Sequence, residues 1–186
     1  MELPNKKYEI IYADPPWKYK QNWGNGCVKH HYPTMETKEI KNLPIGNISN
    51  NNCHLYLWVT NPFLQEGLDV CKAWGFEYKQ LLTWVKLDKK KKIKMCMGYY
   101  FRGATEHIIF GVKGKLPRLR KDLKNVFLEV QTEHSKKPAI IRDIIIKHSG
   151  DLPRIELFAR QRIDGWDAWG LEVPKETQKE LRIESS

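Results

Sequence analysis

The chain has 186 residues and a formal net charge of +10, from 32 Lys+Arg against 22 Asp+Glu. That length suits one α/β domain, 1–186, with a full core; no stretch reaches the ~18 apolar residues of a membrane span, and the opening "MELPNKKYEI" lacks the apolar region of a secretory signal. The positive surplus fits either a soluble surface or an anionic partner, of which nucleic acid is the commonest.

Four cysteines, Cys27, Cys53, Cys71 and Cys96, are spread without a C-x-x-C. Reduced thiols in a cytoplasmic protein are expected. Cys27, His30 and His31 form a ligand-like group, but no second close pair completes a tetrahedral site, so no metal is expected.

Tyr8–Ala13, "YEIIYA", reads as a short buried strand. Thr37 is placed to cap a short helix over 38–43. Residues 53–60, "CHLYLWVT", read as a second strand. Asn61-Pro62 then supplies a cap followed by proline in the first turn. Leu64, Leu68 and Cys71 follow at helical spacing up to Gly75. Residues 78–86, 107–112 and 125–130 read as three further strands. Pro138 opens a helix with Ile140, Ile141, Ile144, Ile145 and His148 on one face, closed by Gly150. Residues 154–159 form the last strand, and the tail after about 174 is polar. No repeat or linker interrupts the series.

Strands alternating with helices predict a mostly parallel sheet covered by helices on both faces. Ligands of such sheets bind beyond the carboxyl ends of the strands. That rule selects Asp14 to Trp17, Thr60, Asn61, Lys86, the segment after Val130, and Arg160 to Arg162.

The first of these ends carries Asp14-Pro15-Pro16-Trp17. A carboxylate followed by two prolines makes a rigid turn whose acceptors are not drawn into a helix. Trp17 adds a flat apolar face. Acceptors beside a stacking plate suit a planar group bearing an NH2, such as adenine. The lone pair of that amine is delocalised into the ring. Acceptors holding its two N–H bonds favour a pyramidal nitrogen and stabilise the positive charge that develops on alkylation. Asp14 then acts as an ionised acceptor and need not be a strong base. The competing reading is a plain surface turn with a packed tryptophan.

The chain resembles the MT-A70 family of adenine-N6 methyltransferases, and most of all its small bacterial and phage members. The resemblance runs from about 8 to 173. It rests on "ADPPW" (13–17), "HYPTM" (31–35), "LYLWVTNP" (55–62), "WGF" (74–76), "WVK" (84–86), "GYYFRGATEHIIFGVKG" (98–114), "EHSKKP" (133–138) and "IELFARQRIDGWDAWG" (155–170). It implies a Rossmann-like methyltransferase fold with a permuted motif order, in which the catalytic loop precedes the cofactor strand. It also implies S-adenosyl-L-methionine as cofactor. Asp14, Pro15, Pro16 and Trp17 then hold the target amine, and Asp14 lies near the methionine end of the cofactor. Tyr32 matches an aromatic that gates the adenine pocket, with simple packing as the rival role. Lys137 matches a lysine near the methionine carboxylate. Glu156, Phe158, Arg160 and Arg162 follow the pattern that wraps ribose and adenine, although Glu156 also suits a buried ion pair. The absence of a strand-linked G-x-G-x-x-G agrees with this family rather than with a dinucleotide fold.

Two features depart from the family pattern. Its eukaryotic members have extra chain before the first strand that contributes to the adenine pocket; here only seven residues precede it, so the pocket is expected to be more open or built differently. Leu171 stands where many members carry a ribose-contacting Asn, which leaves Glu172 to supply that contact.

An adenine in a duplex must be flipped out, or single strands must be accepted. Two basic segments are candidates for tracking the backbone. One is 86–94, with Lys86, Lys89, Lys90, Lys91, Lys92 and Lys94; the other is 113–124, with Lys113, Lys115, Arg118, Arg120, Lys121 and Lys124. Between them Tyr99, Tyr100 and Phe101 suit base stacking, with Arg102 beside them as a further substrate contact. The same aromatics suit a homodimer interface. The leading expectation is methyl transfer to adenine in DNA, with RNA as the alternative polymer. A non-catalytic partner subunit is the rival class, opposed by the intact Asp-Pro-Pro-Trp loop. A small-molecule amine methyltransferase would not need so basic a chain.

Overall fold

In the computed structural model the described residues are 2–19, 33–98, 100–132 and 136–174. Cys27, His30, His31, Tyr32 and Tyr99 lie outside them, as does the polar tail. The elements are β1 (Tyr8–Ala13), α1 (Thr37–Lys41), β2 (Ser49–Val59), α2 (Leu64–Ala73), β3 (Glu77–Leu87), β4 (Thr105–Lys113), β5 (Val126–Val130), α3 (Ile140–Ser149), β6 (Arg154–Leu157) and β7 (Asp167–Trp169). The strands form one sheet in the order β5-β3-β4-β2-β1-β6-β7.

All pairings are parallel except those of β4 with β2 and β3. The antiparallel β4 has a consequence for the site. It brings the start of its own strand, Thr105-Glu106, to the edge where the other strands end. It also sends its end, Lys113, to the opposite edge.

Two-residue alternation divides the buried residues between two layers. Ile11, Ala13, Leu55 and Leu57 face a layer with Ile40 of α1 and Val70 and Cys71 of α2. Ile10, Tyr12, Tyr56 and Trp58 face the other, with Ile141 and Ile145 of α3. Helices therefore cover both faces, and residues 10–13 of β1 are an unbroken apolar run because both sides of the strand are buried there. Close packing of α2 on the sheet depends on Gly67, since a Cβ there would fall 2.3 Å from the Val59 side chain.

Where the elements differ from expectation, a tertiary contact decides. β2 begins at Ser49, before the polar Asn50 to Asn52, because Ser49 pairs with Tyr8 of β1. Thr37 is inside α1, and Glu36 is its cap: the Glu36 N–H donates to Glu39 Oε2 at 2.7 Å. Asn61 does not cap α2. It starts a 3-10 turn, and its side-chain carbonyl oxygen lies 2.9 Å from His107 Nε2. β7 escaped sequence reading because three residues carry no periodic signal; it exists through its pairing with β6. Among the described residues no helix is long and apolar enough to cross a membrane.

Candidate active site at the carboxyl edge of the sheet

β1 delivers Asp14 one residue beyond the sheet, its N–H directed at the Leu157 carbonyl at the end of β6. Strand order reverses here: β2 lies on one side of β1 and β6 on the other. That crevice is where open α/β sheets bind ligands.

The two prolines then fix the loop. The Pro15 carbonyl accepts the Trp17 N–H at 2.9 Å, and the Pro16 carbonyl accepts the Met35 N–H at 2.8 Å. Each of these oxygens retains a second lone pair. Trp17 is a correction to the expected stacking plate. Its ring is only 7% exposed and stacks on Phe63 at 5.4 Å, while its indole N–H donates to the Trp58 carbonyl. Trp17 thus anchors the loop from below rather than offering an open face. Tyr19, edge-on to Phe63 and hydrogen-bonded to Thr60, extends the same support.

Lys137 meets Asp14 from the segment before α3. Its Nζ lies 3.1 Å from Asp14 Oδ1 and 3.1 Å from Glu106 Oε2, and 5.2 Å from the centre of the Trp58 ring. Lys86, from the end of β3, donates to Glu106 Oε1 at 2.6 Å. The four groups form one chain of alternating charge, Asp14–Lys137–Glu106–Lys86, with no net charge. Burial pushes the Asp14 carboxyl upward, and the adjoining Lys137 holds it back without cancelling the rise. Burial also opposes ionisation of Glu106, but Lys137 and Lys86 outweigh it and its pKa falls. Burial disfavours the Lys137 charge as well; Asp14 and Glu106 more than offset this and its pKa rises.

Glu106 was missed from the sequence. An acid at the start of an apolar run reads as solvent-exposed, and only the antiparallel direction of β4 brings it to the carboxyl edge. Lys86 is likewise reassigned: it is a member of this cluster, with its side chain 12% exposed and paired with Glu106, and is set apart from the exposed lysines of the basic segment.

The expected cofactor residues sit around the end of β6. Phe158 has φ +60, an uncommon conformation for a residue with a side chain, and packs edge-on against Trp169. Gly170 passes so close that a Cβ would fall 2.2 Å from the Ala159 carbonyl oxygen. Arg160 and Glu172 are exposed and 4.0 Å apart. Burial opposes ionisation of Asp167, but Lys6, Tyr8 and then Arg162 outweigh it and hold its carboxyl down. Glu156 realises the ion-pair alternative: Arg142 Nε and Nη2 donate to its two oxygens at 2.9 Å each.

Lys89, Lys90, Lys91 and Lys92 are exposed on a turn organised by Asp88, whose side chain accepts the N–H groups of Lys90 and Lys92. This turn, Tyr100 and Arg102 all lie in the β3–β4 connection, at the carboxyl edge. The second basic segment does not. Residues 113–124 follow β4 to the opposite edge, so the two candidate backbone-tracking segments lie at opposite edges of the sheet. Among the described residues no group of three or more His, Cys, Asp or Glu is placed to hold a metal.

A protein-family model described as MT-A70 matches residues 8–172. The type II methyltransferase M.MunI of Mycoplasma sp is 34% identical, over 93% of this chain and 81% of that protein. The N(6)-adenine-specific methyltransferase METTL4 of Homo sapiens is 30% identical over 91% of this chain, but the match spans 38% of its own length. The N(6)-adenosine-methyltransferase MT-A70-like protein of Drosophila melanogaster is 30% identical over 83% of this chain and 24% of its own length.

Proposed function

The chain belongs to the MT-A70 family of S-adenosyl-L-methionine-dependent adenine-N6 methyltransferases, and we propose that its methyl acceptor is an adenine in RNA, with DNA as the alternative polymer. The RNA reading departs from the DNA expectation raised by the sequence. Relatives named for adenosine, the ribonucleoside, are the more numerous support. DNA is favoured by the type II methyltransferase, with which the match extends over most of both chains.

The residues at the carboxyl edge fit the cofactor. The carboxyl edge beside β1 and β6 has an anionic group in Asp14 for the cofactor's cationic end and a cation in Lys137 for its carboxylate. Phe158, Arg160, Arg162 and Glu172 are proposed to surround its nucleoside. When bound, the cofactor supplies an electrophilic methyl group.

The observation that carries the catalytic reading is the Asp14–Lys137–Glu106–Lys86 chain. Asp14 and the free lone pair of the Pro15 carbonyl accept the two N–H bonds of the amine. This localises the nitrogen lone pair and stabilises the charge that forms on it. Lys137 holds Asp14 in one position and favours its ionised state. Once alkylated, the amine is acidic, and a carboxylate with a raised pKa is suited to take its proton. Tyr32 is proposed to border the adenine, and Lys89 to Lys92, Tyr99, Tyr100 and Arg102 to contact the flanking polymer.

The same connection exposes Ile93, Met95, Met97, Tyr100 and Phe101, between 66% and 92% accessible. So many large apolar side chains in one segment favour contact with another surface, and a homodimer is the proposed assembly.

The deciding experiment is labelled methyl transfer from the cofactor to matched RNA and DNA oligonucleotides, followed by nucleoside analysis. Label in N6-methyladenosine from RNA supports the reading. Label only in the deoxynucleoside selects the alternative polymer, and label in neither overturns both.

A further inference from the structure

The opposite edge of the sheet carries a second basic feature. A groove of about 420 Å³ there is bordered by Lys79 at the start of β3, by Arg118, Arg120 and Lys121 of the β4–β5 connection, and by His54 and His148. None of its lining residues is acidic. Lys79 and Arg120 each pair with a neighbouring carboxylate, Glu77 and Asp122.

A solvated charge run would be held loosely. This one is tied down at several points. Gly114, at φ +67, turns the chain where a Cβ would fall 2.2 Å from the Asn51 carbonyl oxygen. The Lys115 N–H donates to Asn52 Oδ1 at 2.8 Å. His54 Nε2 donates to the Leu116 carbonyl, and the Leu119 N–H donates to the His148 carbonyl at 2.8 Å. Beneath the loop, Ser149 Oγ bridges His54 Nδ1 and the Tyr56 hydroxyl, which also meets His148 Nδ1. With Nε2 of His54 donating, its Nδ1 must accept from Ser149. Burial and the neighbouring His148 hold the pKa of His54 at about 4, so this support is neutral at physiological pH. The loop's cations thus stand on a rigid base.

The groove and the acidic–basic chain share one face of the sheet. On β4, Glu106, Phe110 and Val112 are separated by even numbers of residues, and so are Trp58 and His54 on β2. From Glu106 to Val112 is about 20 Å at ~3.4 Å per residue. Stacked nucleotides in one strand also advance ~3.4 Å per phosphate, so that distance corresponds to about six nucleotides.

We propose that the Lys79–Arg118–Arg120–Lys121 groove is a second contact for the phosphate backbone of the substrate strand, about six nucleotides from the methylated adenine. The proposal rests on the nucleic-acid reading and adds a length requirement to it. A strand confined to the carboxyl edge reaches only the first contact; a longer one engages both.

The test uses two single-stranded RNA oligonucleotides with one central adenine, one with about three and one with about twelve nucleotides on either side, and their DNA counterparts. Affinity is measured by fluorescence anisotropy across a salt series, for the wild-type chain and for Arg118→Gln combined with Lys121→Gln. The neutral variant is expected to lose about 0.7 per charge from the salt slope, and roughly twentyfold in affinity at ~0.1 M salt, on the long strand alone. Cofactor affinity is expected to stay the same. The swap Arg118→Lys with Lys121→Arg is expected to keep the wild-type slope. Equal behaviour of the neutral variant and wild type on the long strand overturns the proposal. So does an equal loss on both lengths, or a charge swap that behaves like neutralisation. If the wild type neither binds nor methylates any of the four oligonucleotides, the nucleic-acid reading itself fails.

Discussion

The ammonium of Lys137 stands 3.1 Å from the carboxylate of Asp14, joining the segment before α3 to the tip of β1 across a sequence separation that no local pattern spans. Asp14 is therefore held before any substrate arrives. Asp14→Ala is expected to lower the methyl-transfer rate by ~10²–10³, the scale of losing one acceptor aimed at developing charge. Circular dichroism should show the fold retained, since Asp14 lies beyond the strand. Near-normal turnover in single-turnover assays would remove Asp14 from the chemistry.

Lys137→Ala leaves Asp14 and Glu106 without their shared cation. Both carboxyl groups should then titrate at higher pH. Because the ionised form of Asp14 is the active one, activity is lost as pH falls through its pKa. The acid limb of the pH–rate profile should accordingly move to higher pH in the variant. Calorimetric titration should also show weaker cofactor binding. An unmoved acid limb would separate Lys137 from the state of Asp14.

Replacing Lys89, Lys90, Lys91 and Lys92 together by Ala tests the turn at the carboxyl edge. Binding to all sequences should weaken alike, with the slope of log affinity against log salt reduced by ~0.7 per lost contact on single strands or ~0.9 on duplex DNA. Cofactor affinity should not change, because the turn is built on Asp88 and the end of β3, away from β6. An unchanged slope would show that the four lysines only solvate the turn.

His54 links stability to acid pH. Its folded pKa of about 4 lies below the ordinary value of 6.5, chiefly through burial. The unfolded chain therefore binds the extra proton first. Its contribution is intact above about pH 6.5 and is lost as pH falls toward 4. His54 is only 2% exposed, so the loss should be roughly 3 kcal/mol, at ~1.4 kcal/mol per unit of difference between the two values. Denaturant titrations from pH 7 to 4 should show that decline, and His54→Gln should flatten it.

Met97→Glu combined with Phe101→Glu places charges on the exposed β3–β4 connection. If that surface pairs two copies, light scattering at micromolar concentration should show a dimer for the wild-type chain and a monomer for the variant. A wild-type monomer, with and without substrate, rules the assembly out.

Local signals carried much of the architecture. Residues 10–13 of β1 are apolar and buried on both faces, and the carboxyl limit of the strand follows from where the hydrophobic residues end. Gly75 and Gly150 end their helices with φ +85 and +100, as glycine there suggests. The carboxyl-end rule placed Asp14, Thr60 and Lys86 at one edge without any contact being known, because parallel strands must share that edge. What the linear pattern could not carry was the direction of β4 and its effects. An alternating strand reads the same in either direction; only pairing with β2 and β3 makes it antiparallel. That reversal brought Glu106 to Asp14 and Lys137, turned Lys86 from a presumed phosphate contact into an ion-pair partner, and carried residues 113–124 to the far edge. Composition also could not distinguish a stacking tryptophan from an anchoring one. Trp17 became the anchor because Phe63 and the Trp58 carbonyl, both distant in sequence, satisfy its face and its N–H. Burial and strand alternation are properties of short segments and can be read from them. The charge chain at the site is a property of which segments meet, and it arises only when the sheet assembles.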